Sequence, residues 1–283
     1  MNFFVDTPVE DTRSDHTLWP EKYRPHTLAE YVGNDTLKAK VKQYIAANDI
    51  PHLLFYGGAG TGKTTLAKLI ASSIKCDMLY INASDENGID TIRVKIKNFA
   101  CNIGVNPLKV IILDEADGLT PAGQGALRNT METFSAHTRF ILTCNFRERI
   151  VEPIQSRCQS FGVTPPSKNE VAMKLLSILT QEGVKFDKKD IALLVQSHYP
   201  DIRAVINIAQ RNVIDGELRL TKEDVLVGDI KTKLVELLKG DNSKDAFNGI
   251  RQLVADHSIK NFSDFYTYLY ERVGDYAPSV EVE

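Results

Sequence analysis

Between Pro51 and Thr65 the chain reads Pro51-His52-Leu53-Leu54-Phe55-Tyr56-Gly57-Gly58-Ala59-Gly60-Thr61-Gly62-Lys63-Thr64-Thr65, and no other stretch restricts the possible folds as much. The apolar run closed by Gly57 has the length and bounds of a buried strand. The turn it feeds matches G-x-x-x-x-G-K-S/T at every fixed position. Glycines at 57, 58, 60 and 62 let the backbone curl with its N–H groups pointing inward, around Ala59 and Thr61. Such a concave set of dipoles fits a polyphosphate, and Lys63 adds a point charge. Leu66, Ala67, Leu69 and Ile70 then recur at helical spacing, so the loop stands at a helix N-terminus, where the macrodipole also favours anions.

Strands and helices alternate on either side of this loop. Leu37, Val41, Tyr44 and Ile45 mark a helix capped at Asp35, and Trp19–Pro25 is too punctuated by proline for a helix, which predicts an extended, packed segment. Met78–Ala83, Val110–Leu113, Arg139–Cys144 and a short run through Phe161–Val163 read as further strands. Asp90–Cys101 reads as a helix burying Ile92, Ile96 and Phe99. Arg93 and Lys97 lie four residues apart on its other side, as a solvated basic face or as an anion-binding one. The pattern predicts an α/β fold with a five-stranded, doubly wound parallel sheet whose ligands sit at the strand C-termini.

Beyond Pro165-Pro166 the strands stop. Ser167-x-x-Glu170 is a capping box opening a helix to Gln181; further helices start at Asp187 and at Pro200-Asp201. The expected organisation is a polar leader over 1–16, a nucleotide-binding domain over 17–165, a small helical lid over 166–226 and a helical block over 227–283. Apolar stripes in that block run through Ile230, Leu234 and Leu237, through Phe247, Ile250 and Val254, and through Phe262, Tyr266, Leu269 and Val273.

The candidate chemistry lies at the strand ends. Thr64 can supply a hydroxyl to Mg²⁺ while Lys63 reaches the β- and γ-phosphates of ATP. Asp114 can hold the metal through water, and Glu115 can polarise an attacking water. Asn145 ends the neighbouring strand and is placed either for the γ-phosphate or for that water. Asp114-Glu115-Ala116-Asp117 also spells the DEAD-box helicase signature, but those proteins need a second motor sheet and this chain offers only helices after Pro165. Cys76, Cys101, Cys144 and Cys158 fit neither zinc pairs nor a secreted disulfide framework, and reduced, mostly buried thiols are expected. The net charge of −3 confines any nucleic-acid surface to a local patch. No apolar run reaches the ~18 residues of a membrane span, and a soluble intracellular protein is expected.

Several boxes in order resemble the replication factor C small subunits and the related large subunit of tailed-phage clamp loaders. They are Trp19…Glu21-Lys22-Tyr23-Arg24-Pro25…Val32-Gly33-Asn34, then Asn82-Ala83-Ser84-Asp85-Glu86, then Leu113–Thr120. Gln124…Ala126-Leu127-Arg128…Thr130-Met131-Glu132 and Glu152–Cys158 complete the set. The resemblance implies an AAA+ ATPase that assembles with other clamp-loader subunits as a pentamer, opens a sliding clamp and loads it on primer–template DNA. It implies that Tyr23, Arg24 and Pro25 lie against adenine, that Arg157 is an arginine finger for a neighbouring subunit, and that Arg203 senses the γ-phosphate. Arg93, Lys97, Gln124 and Arg128 would track the DNA backbone. Phe99 and Ile103 would meet the clamp, although Phe99 fits a core position equally well. Asn87 and Asn129 depart from the family's more usual arginines, and the last block is shorter than the family's collar. Two other readings remain: a different AAA+ DNA motor such as a branch-migration helicase, and a non-hydrolysing ATP-binding scaffold.

Overall fold

The computed structural model describes residues 18–88, 90–221, 230, 233–239, 243–256, 266, 269 and 270. The leader and the stripe positions Phe262 and Val273 lie outside the described residues. In chain order the elements are α1 (Trp19–Lys22), α2 (Asp35–Ala47), β1 (Leu53–Tyr56), α3 (Lys63–Ser73) and β2 (Cys76–Asn82). A π-helical segment (Thr91–Ile96) continues into α4 (Lys97–Cys101), followed by β3 (Leu108–Asp114), α5 (Pro121–Thr133), β4 (Thr138–Cys144), α6 (Glu152–Gln155) and β5 (Gln159–Gly162). Helices α7 (Lys168–Gln181), α8 (Lys188–His198) and α9 (Ile202–Arg211), strands β6 (Val213–Ile214) and β7 (Glu217–Leu218), and α10 (Ser243–Asp256) complete the set.

Strands β1 to β5 form one parallel sheet in the order β2-β3-β4-β1-β5. Alternation of side chains across each strand divides the core in two. Leu53, Phe55, Val110, Ile112 and Ile141 face α2 and α3 through Leu37, Val41, Leu66 and Ile70. Leu54, Ile111, Leu113, Phe140 and Leu142 face the opposite way, onto Ile92, Ile96, Leu127 and Ile154. Every residue of β3 is buried, as a central parallel strand requires. The expected doubly wound sheet is therefore present, and it brings the C-termini of β1, β3 and β4 to one edge.

The chain divides into two compact units. One comprises the residues through Lys174 together with Pro200–Asn207, and the other Leu175–Tyr199 with Ile208 onward. The start of α7 and the first turns of α9 thus group with the sheet, whereas the sequence places a boundary at Pro165. In the second unit Ile191, Leu194 and Val195 of α8 are buried, and β6 and β7 pair as a tight antiparallel hairpin. Ile230, Leu234 and Leu253 form a small core with Leu237, Ile250 and Leu269 packed against it.

Four local expectations need correction. Trp19–Lys22 is a short helix, because Pro20 falls in the first turn, where a missing N–H loses no bond. Asn34, in the left-handed region, precedes α2 as its N-cap; Asp35 is its first residue and pairs with Lys38 instead. Phe247 and Tyr266 are largely exposed, so the stripe of α10 closes on Ile250 and Leu253. All four cysteines are free, but Cys101 is exposed and only Cys144 is fully buried. The capping box is as expected: Ser167 Oγ accepts from the Glu170 N–H at 3.3 Å, and Glu170 Oε2 accepts from the Ser167 N–H at 2.8 Å.

Candidate functional site

The phosphate loop bends where only glycine fits. Gly57 stands at φ 147°, with no room for a Cβ beside the Val163 carbonyl, and a Cβ on Gly60, at φ 71°, would meet the Asp201 carboxylate. The loop delivers Lys63 to the first turn of α3. Its ammonium donates to the carbonyls of Gly57 at 2.9 Å and Gly58 at 2.7 Å, and to Asn145 Oδ1 at 2.8 Å. Burial lowers the Lys63 pKa below its ordinary value, while Cys144 and the carboxylates of Asp114, Asp117 and Glu115 pull it back up.

Asp114 ends β3 almost fully buried and accepts three hydroxyls. Thr64 Oγ1 donates at 2.7 Å and Thr143 Oγ1 at 2.5 Å to its Oδ1, and the Tyr80 phenol donates at 2.8 Å to its Oδ2. Burial first, and the bond to Asp114 second, raise the Tyr80 pKa well above that of an ordinary tyrosine. Thr143 also accepts from the Glu115 N–H at 3.0 Å, so one side chain fixes both acidic residues. Glu115 itself is exposed and left-handed at φ 54°, a conformation that L residues seldom hold without external support. Thr64 and Asp114 together offer hard oxygens to a small divalent cation.

Asn145 is held from behind. Asp117 Oδ2 accepts the backbone N–H groups of Asn145 and Phe146, both at 3.1 Å, and thereby presents the Asn145 amide to Lys63. Gly60, Thr61, Gly62, Lys63, Thr64 and Thr65 line an open cleft that Tyr23, Arg24 and Pro25 close on one side. Pro20, Tyr31, Val32, Ile202 and Ile206 add apolar surface, and Arg203 reaches both this cleft and the adjoining space around Asp114 and Glu115. Gly57, Gly58 and Ala59, expected with them, are not among the residues that line the cleft.

The remaining candidates lie away from the cleft. Arg157 follows α6, which is pinned by buried Ile150 and Ile154; it does not line the cleft but pairs with Glu132 and donates to the Pro153 carbonyl at 2.5 Å. Arg93, Lys97 and Arg128 are exposed on the π-helical segment, α4 and α5, of which the first and last pack together. The Arg128 guanidinium donates to Asn129 Oδ1 at 3.0 Å. Gln124, expected on that surface, is buried instead. Its amide donates to the Arg149 carbonyl at 2.9 Å and accepts from the Val151 N–H at 2.8 Å, so its hydrogen-bonding capacity is used inside the protein. Phe99 is half-buried against the core, and Ile103 is fully exposed. Sequence reasoning missed Tyr80, Thr143 and Asp117 as functional positions, since none belongs to a motif with a chemical reading of its own.

What the fold and these contacts define is a P-loop ATPase of the AAA class. The family model described as "ATPase family associated with various cellular activities (AAA)" matches residues 53–165. The chain is 39% identical over 254 residues to the replication factor C small subunit of Staphylothermus marinus, a match covering 86% of this chain and 77% of that protein. It is 46% identical over 208 residues to that of Archaeoglobus fulgidus, covering 71% of this chain and 65% of that one. The chain belongs to the replication factor C small-subunit family. Among solved structures, a variant of the RuvB protein of Thermotoga maritima superposes with a TM-score of 0.64 at 18% identity, covering 88% of this chain and 91% of that one. At that identity the likeness speaks for the fold alone. No helix among the described residues is long and apolar enough to cross a membrane.

Proposed function

We propose that the chain is an ATP-hydrolysing subunit of a sliding-clamp loader, working with other clamp-loader subunits in a pentameric assembly to open the clamp and place it on primer–template DNA. The apolar side of the cleft, with Tyr23, Pro25, Val32, Ile202 and Ile206, suits the base of ATP, and the loop with Lys63 suits its phosphates. Thr64 and Asp114 would hold Mg²⁺, which would supply positive charge against the charge that develops on the phosphates. Glu115 orients and polarises the attacking water, and Asn145 and Arg203 address the γ-phosphoryl oxygens. This arrangement supports turnover over a purely scaffolding use of ATP. The branch-migration reading has only a fold likeness, at 17% identity, to the Thermotoga maritima RuvB Holliday junction branch migration motor, whereas the two replication factor C relatives reach 39–46%. Arg93, Lys97 and Arg128 carry no neighbouring pattern suited to reading bases, so they meet DNA phosphates without sequence preference.

The observation that carries the assembly reading is the place of Arg157. It stands outside the cleft with its guanidinium on Glu132, so its phosphate partner belongs to another subunit. Arg157→Ala should leave ATP binding unchanged and lower hydrolysis in the clamp- and DNA-bound complex by about 10³-fold. Complexes mixing Arg157→Ala with Lys63→Ala subunits should keep activity only where an intact loop faces an intact finger. Equal hydrolysis by the isolated chain and the assembly, indifferent to Arg157, would overturn the mechanism.

A further inference from the structure

One cation beside the cleft has no part in the chemistry described above. Lys68 follows Thr64 by four residues on α3, so the two share a helix face. Lys68 is half-buried, and its ammonium stands 4.4 Å from the centre of the Tyr80 ring. The Tyr80 phenol in turn donates to Asp114 Oδ2 at 2.8 Å, which sets the ammonium one ring away from the carboxylate that ends β3. Among the described residues no carboxylate lies within ion-pair distance of Lys68; Glu21, which lines the same space, pairs with Arg24 at 2.6 Å. Burial first, and the Arg24 charge second, lower the Lys68 pKa below its ordinary value, while Asp114 and Glu21 pull it back up.

Charge in this space is balanced. Arg24, Lys68 and Arg203 line it together with Glu21, Asp114 and Glu115, whereas Lys63 does not. Arg24 is matched by Glu21, which leaves Lys68 and Arg203 to offset Asp114 and Glu115. An apolar side chain at position 68 would cover the Tyr80 ring without taking a charge partly out of water. What only a cation supplies there is a positive potential at Asp114. We propose that Lys68 is a specificity-determining residue of the metal site: held over Tyr80, its charge offsets that of Asp114 in the nucleotide-free cleft and so confines divalent-cation binding to the nucleotide-loaded state. This rests on the reading of Thr64 and Asp114 as the pair that holds the metal. Beside Lys68, the Asp114 carboxylate by itself offers a divalent cation little net attraction, whereas the several negative charges of a triphosphate outweigh one ammonium. The cation then enters and leaves the cleft with the nucleotide.

The test titrates the full-length chain with Mn²⁺, followed by loss of the free-ion paramagnetic resonance signal, with and without a non-hydrolysable ATP analogue. Without nucleotide, Lys68→Met should bind Mn²⁺ roughly tenfold more tightly than the wild type, and the gain should shrink as salt is raised. Adding Asp114→Asn to Lys68→Met should abolish the gain, which ties it to this carboxylate rather than to acidic residues elsewhere. Lys68→Arg, which keeps the charge, should match the wild type. With the analogue bound, Lys68→Met should change Mn²⁺ affinity by no more than about threefold, because the phosphates dominate the local charge. Lys68→Gln carries the same expectations should Lys68→Met not fold. If the nucleotide-free wild type and Lys68→Met bind Mn²⁺ equally, while Asp114→Asn weakens binding to the loaded chain, the role of Lys68 is overturned and the metal reading stands. If Asp114→Asn leaves binding to the loaded chain unchanged, the metal reading falls, and the proposal with it.

Discussion

Removing the Asp117 carboxylate tests whether the brace behind Asn145 serves the chemistry or only the loop. Its Oδ2 receives two backbone N–H groups at 3.1 Å, and the amide they position lies 2.8 Å from the Lys63 ammonium. A hydrogen bond to a charged acceptor contributes about 1.5–3 kcal/mol, and the half-exposed setting of Asp117 places these two at the lower end or below it. Asp117→Ala should therefore lower the unfolding free energy by about 2 kcal/mol. On the role proposed for Asn145 at the γ-phosphoryl oxygens, its freedom to turn away would cost a further ~1.4 kcal/mol in the transition state, about a tenfold drop in kcat. Steady-state hydrolysis in the clamp- and DNA-bound complex, titration with a fluorescent ATP analogue and urea unfolding separate the effects. ATP affinity should stay within about twofold, since the loop itself is untouched. Asp117→Asn keeps an acceptor oxygen and should recover most of the stability and part of the rate. A variant destabilised as expected but turning over at the wild-type rate would refute the argument and leave Asp117 as a structural cap.

Two further outcomes follow from the same network and from the opposite end of the sheet. Tyr80→Phe removes one of three hydroxyls on Asp114; calorimetric titration of the nucleotide-loaded chain should show Mg²⁺ affinity falling about threefold, while nucleotide affinity without metal is unchanged. His52 Nδ1 accepts the Phe140 N–H at 3.1 Å, and burial, aided by Arg139, pushes its pKa down from 6.5 to about 4. The unfolded chain binds that proton below about pH 6.5 and the folded chain does not, so stability is lost as pH falls from about 6.5 towards 4. The loss is on the order of 2 kcal/mol after discounting for partial exposure. In urea unfolding, His52→Gln should flatten this slope between pH 4 and 6.5; an identical slope in the variant would remove His52 as its source.

What could be read from the chain, and what could not, divides along the distance over which the physics acts. The phosphate loop, the capping box at Ser167 and the all-apolar β3 are legible because their causes lie within a few residues: backbone freedom at Gly57, a serine and a glutamate three apart, a strand buried on both faces. Short-range reasoning failed where a single residue carries two meanings, as with Pro20, which breaks a helix from inside but opens one from its first turn. Gln124 failed for a different reason. On α5 it looks like a polar residue offered to a ligand, and only the return of the chain at Arg149–Val151 turns it into a buried clamp. The ring of hydroxyls around Asp114 is the extreme case. Tyr80 comes from β2, Thr143 from β4 and Thr64 from the first turn of α3, and they meet only because the parallel register sets Asn82 beside Asp114 and Leu142 beside Leu113. A strand tyrosine and a strand threonine have no chemical signature of their own. Their role is conferred by a carboxylate that reaches them across the sheet, so the residues that tune this site are the ones whose sequence neighbours say least about them.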